Sequence, residues 1–465
     1  MSTAPSLVLS SQGRQQILTA WNLPSSTSIN VIKQSENHTY LVQVFPLVTT
    51  TTTNESSSND DHATTIRTES SVVPKKKELN LLPHHEHEEQ QPPLLYILRL
   101  TPKHHRSQEA IQAELDFIHR IHHVLEHDDT PPRPSSSLHV CPPIPLKKSL
   151  ESSCFHETYS RQQNNTLPFI ATLVSPYHDC PNIDHMNETN AQEYYYAVLF
   201  EYAQGSSVLE KWIGLTNESF IDALGRAIGE MHDISQKMNN RSETSWQVTA
   251  ENIPQWYDTH GGACNIEKIR ERANQYAHEP SLLLLSLWEN HGLKEFISGL
   301  KKTRENFGVI HGDINVSNYF AAEKTSEQAH AQVWIFDFDQ VQHNFFGCDL
   351  AVVLQMIRFF EDDGLGIGKI EGFDADRFRT VFLQAYKETC PHGMIEEGHL
   401  DTHHLKHFEM FREFYHTSVA VDILFRHEHA SQGDDSTGQP MVQFEESIIS
   451  FCKLAVNRLQ NKFKL

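Results

Sequence analysis

Hydrophobic and polar positions follow different rhythms in the two halves of this chain. Ser11–Trp21 has helical spacing, and Ser28–Phe45 reads as two β-rich runs interrupted by the polar Gln34-Ser35-Glu36-Asn37, the pattern of a hairpin. From Val48 to Pro93 apolar residues almost vanish into Thr, Ser, Asn, Asp, Lys and His tracts. Too little is left there to offset the entropy of ordering, so 48–93 reads as a disordered insertion. Strand-like runs resume at Leu94–Leu100, Phe169–Val174 and Tyr194–Tyr202, and Ser107–Val124 carries a helical face of Ile111, Leu115, Ile118 and Ile121. Beyond Gly205 the helical period dominates, at Phe220–Ile234, Ile266–Gln275, Leu282–Trp288, Leu293–Lys302, Val352–Phe360, Phe373–Tyr386, Leu405–Phe425 and Phe444–Phe463. The expectation is an α+β chain of two lobes: a small β-rich lobe over 1–204 that carries the insertion, and a larger helical lobe over 205–465.

One stretch breaks the helical rhythm. Val309 and Ile310 lead into His311-Gly312-Asp313, Asn318 follows Asp313 by five positions, and the apolar run Val333–Phe336 delivers Asp337. Moving a γ-phosphoryl group requires divalent metal held by carboxylate or amide oxygens, and a carboxylate to take the acceptor's proton. A loop with Asp and then Asn, followed by a buried strand ending in Asp, can aim all three into one cleft. Asp313 is the candidate catalytic base in a loop over 309–320, and Asn318 and Asp337 are the candidate metal ligands, the latter on a strand over 333–339. Asp339 lies two residues beyond Asp337 and, if the strand still alternates, points to the same face, towards either metal or solvent.

H-G-D-I-N-V-S-N followed by I-F-D-F-D-Q resembles the aminoglycoside phosphotransferase and choline kinase superfamily, in which Gly312 takes the place of the arginine of the protein-kinase H-R-D loop. The resemblance implies a protein-kinase-like fold, ATP and Mg2+ as cofactors, and a small-molecule hydroxyl as acceptor. It implies further that His311 braces the loop and that Asp349, in D-L-A, ties the following segment to the helical lobe. Glu36-Asn37-His38-Thr39-Tyr40-Leu41-Val42 matches the family's E-N-x-x-Y-x-V turn, although no G-x-G-x-x-G is present. Arg99 and Glu114 stand where a kinase sets its phosphate-holding Lys and that residue's Glu partner, with a surface salt bridge as the plain alternative. The main chain around Phe200–Tyr202, hence Glu201 and Tyr202, stands where the family's hinge meets adenine. L-G-x-x-I-x-x-M-H, ending at His232, resembles its first long helix, where His232 reads as packed or capping.

Composition narrows the partners. In 465 residues, 38 Lys and Arg against 60 Asp and Glu give a net charge of −22, which disfavours nucleic acid and anionic membrane. Leu282–Leu285 is among the longest apolar runs, far short of a span, and the N-terminus lacks a basic, apolar leader pattern. Seven scattered cysteines without C-x-x-C fit free thiols in the cytoplasm. His119 and His123, at i and i+4, read as chance among 30 histidines. Phe408, Phe411, Phe414 and Tyr415 recur at helical spacing as either core or acceptor-pocket wall, and Glu361-Asp362-Asp363 reads as a solvated turn or a cation-greeting cluster. Two rival functions share the motif: a protein Ser/Thr kinase, which needs a longer segment than the dozen residues between Asp337 and Asp349, and a non-catalytic pseudokinase. Which small molecule is the acceptor, and the oligomeric state, are not encoded in these patterns.

Overall fold

The computed structural model describes residues 9–34, 37–45, 92–103, 105–127, 136–146, 169–174, 194–208, 213–240, 252–258, 262–322, 331–361, 370–390, 402–430 and 446–463. Nearly all of the insertion expected at 48–93 lies outside these residues, as do Glu36, Asp362 and Asp363. The first half comprises α1 (Ser11–Trp21), β1 (Ser28–Gln34), β2 (His38–Val44), β3 (Leu94–Pro102), α2 (Gln108–His127), β4 (Leu138–Val140), β5 (Ala171–Val174) and β6 (Tyr194–Glu201). Helix α1 starts where Ser10 Oγ accepts the Gly13 N–H and stops where Asn22 turns left-handed at φ 52°.

Five strands form one antiparallel sheet in the order β1-β2-β3-β6-β5. The unbroken apolar run of β6 is explained by burial on both faces. Tyr195, Ala197 and Leu199 join Ile17, Trp21, Tyr40, Val42 and Leu98 under α1. Tyr196, Val198 and Phe200 face the core that holds Ile111, Leu115 and Ile118 of α2.

The second half runs β7 (Ser206–Ser207), α3 (Ile213–Thr216), α4 (Glu218–Asn240), α5 (Ile266–Tyr276), α6 (Glu279–Asn290), α7 (Leu293–Gly299), β8 (Phe307–Ile310), β9 (Tyr319–Ala322), β10 (Gln332–Ile335), β11 (Gln342–Phe345), α8 (Gly347–Glu361), α9 (Ala375–Thr389), α10 (Thr402–Ala430) and α11 (Glu446–Phe463). The sequence pattern foresees the long helices and β10. It misses β7, β9 and β11, whose two to four residues are too few to show a period.

Strand β4, from the first half, pairs in parallel with β10 in the sheet β4-β10-β9-β7, so the strand ending just before Asp337 is buttressed by a segment on the other side of residue 204. Strands β8 and β11 pair antiparallel in a separate two-stranded sheet. The aromatic stripe of α10 is core: Phe411 packs edge-on to Trp256 at 4.9 Å and Phe408 to Phe296 at 5.1 Å, all within the helical cluster of α5, α6, α10 and α11. Among the described residues no helix is long and apolar enough to cross a membrane.

Helices α4 and α9 approach so closely that a Cβ on Gly225 would lie 2.3 Å from the Phe382 carbonyl oxygen. Gly225→Ala gains about 1 kcal/mol of helix propensity but forces the helices apart. A net loss of about 1–3 kcal/mol in urea unfolding is expected. Gly299→Ala, where nothing lies within 4 Å, is the control and loses none.

Candidate active site

Strand β8 ends at Ile310 and the chain turns into His311-Gly312-Asp313 over a buried carboxylate. Asp349, at the start of α8, accepts the His311 N–H at 3.0 Å on Oδ2 and the Gly312 N–H at 2.9 Å on Oδ1. His232 Nε2 lies 3.2 Å from Asp349 Oδ2, and His232 Nδ1 lies 3.0 Å from the Tyr386 hydroxyl. Burial alone would raise the Asp349 carboxyl. The His232 hydrogen bond, the His232 and His311 rings and the Gly312 N–H outweigh it and hold the group below its ordinary value.

Gly312 is required sterically. Its φ is +84°, and a Cβ there would lie 2.3 Å from the Gln340 carbonyl oxygen and 2.5 Å from Gln342 Nε2. That is the physical reason why no arginine can occupy this position.

The loop is then locked onto the strand that follows it. His311 Nε2 donates to the Phe336 carbonyl at 3.0 Å while Nδ1 accepts the Asp313 N–H at 3.2 Å. Phe336 N–H in turn donates to the Asn318 carbonyl at 3.0 Å. Phe336 therefore bonds to both ends of the loop, and Asp337 is the next residue.

Two of the three sequence-predicted residues, Asp313 and Asn318, are in direct contact, and Asp337 follows the residue that bonds to both ends of their loop. Asn318 Nδ2 donates to the Asp313 carbonyl at 2.8 Å and reaches Asp313 Oδ2 at 3.3 Å, which commits its nitrogen inwards, while its amide oxygen accepts from the Ser317 hydroxyl at 3.2 Å and keeps a second lone pair for a cation. Asp337 has φ +64°, a left-handed conformation that Asp tolerates, and among the described residues its carboxylate makes no hydrogen bond or ion pair.

Because that turn is followed by one 3-10 turn over Phe338–Gln340, strand alternation stops before Asp339. The condition under which Asp339 would share the face of Asp337, continued strand alternation, is therefore not met. Asp339 instead accepts from Asn37 Nδ2 at 3.2 Å, and Asn37 Oδ1 accepts from Thr101 Oγ1 at 2.8 Å, so the hairpin turn of the first sheet is tied to the Asp337 turn. Burial and then the neighbouring Asp337 charge push the Asp339 carboxyl well above the usual range, against Arg99 and Arg106.

Arg99 and Glu114 form an ion pair, with Nη1 to Oε1 at 2.8 Å, and both side chains are buried, which rules out the surface-bridge alternative. Glu114 also takes Arg106 Nη1 at 2.6 Å. Burial would raise Glu114, but Arg99 and then Arg106 hold it below its ordinary value. Two arginines share this one carboxylate, and Arg99 also feels the Asp337 and Asp339 charges.

Glu201 closes β6 with an exposed side chain, and its N–H donates to the Pro142 carbonyl at 3.1 Å. That donor is therefore taken. The main chain free of the ladder begins at Tyr202, whose ring meets Phe320 edge-on at 6.5 Å.

Sequence reasoning missed Arg106, Asn315 and Arg412. Asn315 Nδ2 donates to Asp313 Oδ2 at 2.8 Å, and Arg412 Nη2 donates to Asp313 Oδ1 at 2.7 Å. Arg412 had a signal: it interrupts the apolar face of α10 between Phe408 and Tyr415.

The lowered Asp349 and Glu114 carboxyls contribute stability that is complete above their ordinary values of 3.8 and 4.5 and is lost as pH falls through the lower folded values. Asp349→Asn should therefore cost about 3 kcal/mol near neutrality and make the loss of stability on acidification shallower. Urea unfolding at about pH 7 and about pH 3 checks both.

Amicoumacin kinase of Bacillus subtilis (strain 168) is 24% identical over 199 residues, 41% of this chain and 48% of that protein, so the match spans about half of that relative. A solved amicoumacin kinase in complex with AMP-PNP, Ca2+ and Ami superposes with a TM-score of 0.55 at 12% identity, covering 97% of this chain and 92% of the other, which establishes the two-lobe protein-kinase-like fold. A microcompartment-associated aminopropanol kinase superposes at 0.48, with 14% identity over 96% and 94% of the two chains. Residues 156–394, more than half of the chain and containing the whole Asp313–Asp349 constellation, match the phosphotransferase enzyme family (APH), and the protein belongs to that family.

Proposed function

We propose that this protein transfers the γ-phosphoryl group of ATP, with magnesium, to a hydroxyl of a small molecule. One observation supports the reading: Phe336 bonds to both ends of the 311–318 loop, in which Asn318 touches Asp313, and the next residue is Asp337, whose carboxylate makes no hydrogen bond or ion pair among the described residues.

The donor set fits a magnesium ion. Magnesium takes one or two protein oxygens and completes its shell with water and phosphate. Asn318 Oδ1 and Asp337 supply such a pair, and among the described residues no cluster of three or more His, Cys, Asp or Glu could hold a metal by itself. When bound, the ion would neutralise the nucleotide phosphates.

The chain's own residues do the rest. Asp313 orients the acceptor hydroxyl and takes its proton as the new bond forms. Arg99, fixed by Glu114, holds phosphate. The main chain from Glu201 into Tyr202 borders the adenine, and Asn37 joins the hairpin turn above the phosphates to the Asp337 turn. The acceptor class is that of amino alcohols, sugars, amino acids or aminoglycosides, and amicoumacin, named for a relative, joins the set to be tried. The described cysteines are buried free thiols, which favours a cytoplasmic setting.

The test is ADP release from ATP and magnesium across these acceptors and a generic protein acceptor. Turnover with a small acceptor supports the reading, whereas turnover with protein alone, or none at all, overturns it. Asp313→Asn should lower kcat by about 10²–10⁴-fold while leaving the magnesium-dependent thermal shift with ATP intact. Asp337→Asn should abolish that shift, measured by the melting temperature with ATP at fixed and zero magnesium.

A further inference from the structure

Asp313 is held by a residue that the loop does not contain. Between Val309 and Phe320 there is no Lys or Arg, and Gly312 leaves no room for one. The cation comes instead from the middle of α10, 99 residues away: Arg412 Nη2 donates to Asp313 Oδ1 at 2.7 Å, and Arg412 Nη1 donates to the Gly312 carbonyl at 2.9 Å. One planar guanidinium thus grips both the main chain and the side chain of the loop, which an ammonium cannot do with the same geometry.

Arg412 is itself fixed. It is 5% exposed, and its Cζ lies 5.2 Å from the Tyr415 ring centroid one turn further along the helix. Its Nε, which has no partner among the described residues, borders a small cavity lined by Gln342, Asn344, Phe411 and Tyr415.

Counting lone pairs gives this grip a direction. An ionised carboxylate offers about two acceptor positions on each oxygen. Oδ2 of Asp313 is filled by Asn315 Nδ2 at 2.8 Å and the longer Asn318 contact at 3.3 Å, whereas among the described residues Oδ1 holds only Arg412. The one position left for an acceptor hydroxyl is on Oδ1, beside the guanidinium.

We propose that Arg412 is the positioning residue of this site: from α10 it orients the Asp313 carboxylate so that Oδ1 receives the acceptor hydroxyl. The inference rests on the phosphotransfer reading for its consequence in turnover, but not for the geometry it asserts. A base displaced by about 1 Å can cost 10²-fold, so the effect belongs in kcat. Nucleotide binding, made by Arg99, Asn318 and Asp337, is untouched.

The experiment compares Arg412→Ala, Arg412→Lys and Arg412→Gln with the unaltered protein. Arg412→Ala is expected to lose about 10²-fold in kcat with the KM for ATP and the ATP–magnesium thermal shift unchanged. Added ethylguanidine, entering the enlarged cavity, should restore part of that loss, and Arg412→Lys should fall between. Hydrogen exchange followed by mass spectrometry should report faster exchange of the 311–318 amides in Arg412→Ala and Arg412→Gln, with the α4 and α9 amides unchanged.

Three results would overturn the proposal: kcat within twofold of the unaltered protein in all three variants, 311–318 exchange that does not change, or a loss that spreads to ATP binding and is not relieved by ethylguanidine. If Arg412→Ala does not fold, the Lys and Gln variants carry the same comparison. An unaltered protein that turns over nothing overturns the phosphotransfer reading alone, and the exchange measurement still decides whether Arg412 holds the loop.

Discussion

The site depends on one buried carboxylate. Asp349 is removed from water, and a charge in that position is tolerable only when its lone pairs are taken up by well-aligned donors. Two of those donors are the N–H groups of His311 and Gly312, and a third contact is His232, itself beside Tyr386 of α9. The carboxylate needs the loop as much as the loop needs the carboxylate. Three helices, α4, α8 and α9, converge on it, so the catalytic turn is referenced to the helical lobe as a rigid body and not to its own short loop.

The second constraint is local strain used to make proximity. Gly312 and Asp337 both adopt positive φ, at +84° and +64°. The first lets the chain pass within contact of Gln340 and Gln342, and the second swings a carboxylate out of the strand as it ends. Phe336, bonded to both sides of the loop, keeps the two turns in register. The Asn37 bridge from Thr101 to Asp339 then carries that register across to the first sheet, on the side where Arg99 and Glu114 lie. The two halves are therefore tied through polar side chains, Thr101 to Asn37 within the first half and Asn37 to Asp339 across to the second, which is a geometric rather than a strongly energetic coupling.

Family membership fits the departures as well as the agreements. Arg99 stands where a lysine is usual, and its fork engages Glu114 while Arg106 shares the same carboxylate. Gly312 replaces the arginine of the protein-kinase loop, and the cation beside Asp313 comes from α10. Each departure is matched by a residue elsewhere in the chain.

Some of this was set by sequence alone. Long periodic segments, from Ser11–Trp21 to Phe444–Phe463, carried their own evidence because a 3.6-residue period accumulates over several turns. The Asp313, Asn318 and Asp337 trio was legible because a loop and the strand after it are close in sequence, so spacing stands for distance. Short strands such as Gln342–Phe345 were not legible, since four residues hold no period and their pairing partner Phe307–Ile310 is over thirty residues away. Asp339 stayed open for a related reason: alternation holds only while the strand does, and the turn at Asp337 ends it. Arg106 escaped because a charge on a loop announces nothing until its partner is known, and the break that Arg412 makes in the apolar face of α10 marks a buried charge without naming its partner. Whether Arg412 meets solvent or Asp313 is decided by how α10 packs against Trp256, Phe296 and Trp288, a matter of tertiary contact across about a hundred residues. Local chemistry is written along the chain, whereas the burial that gives a distant charge its partner exists only once the lobe has closed around it.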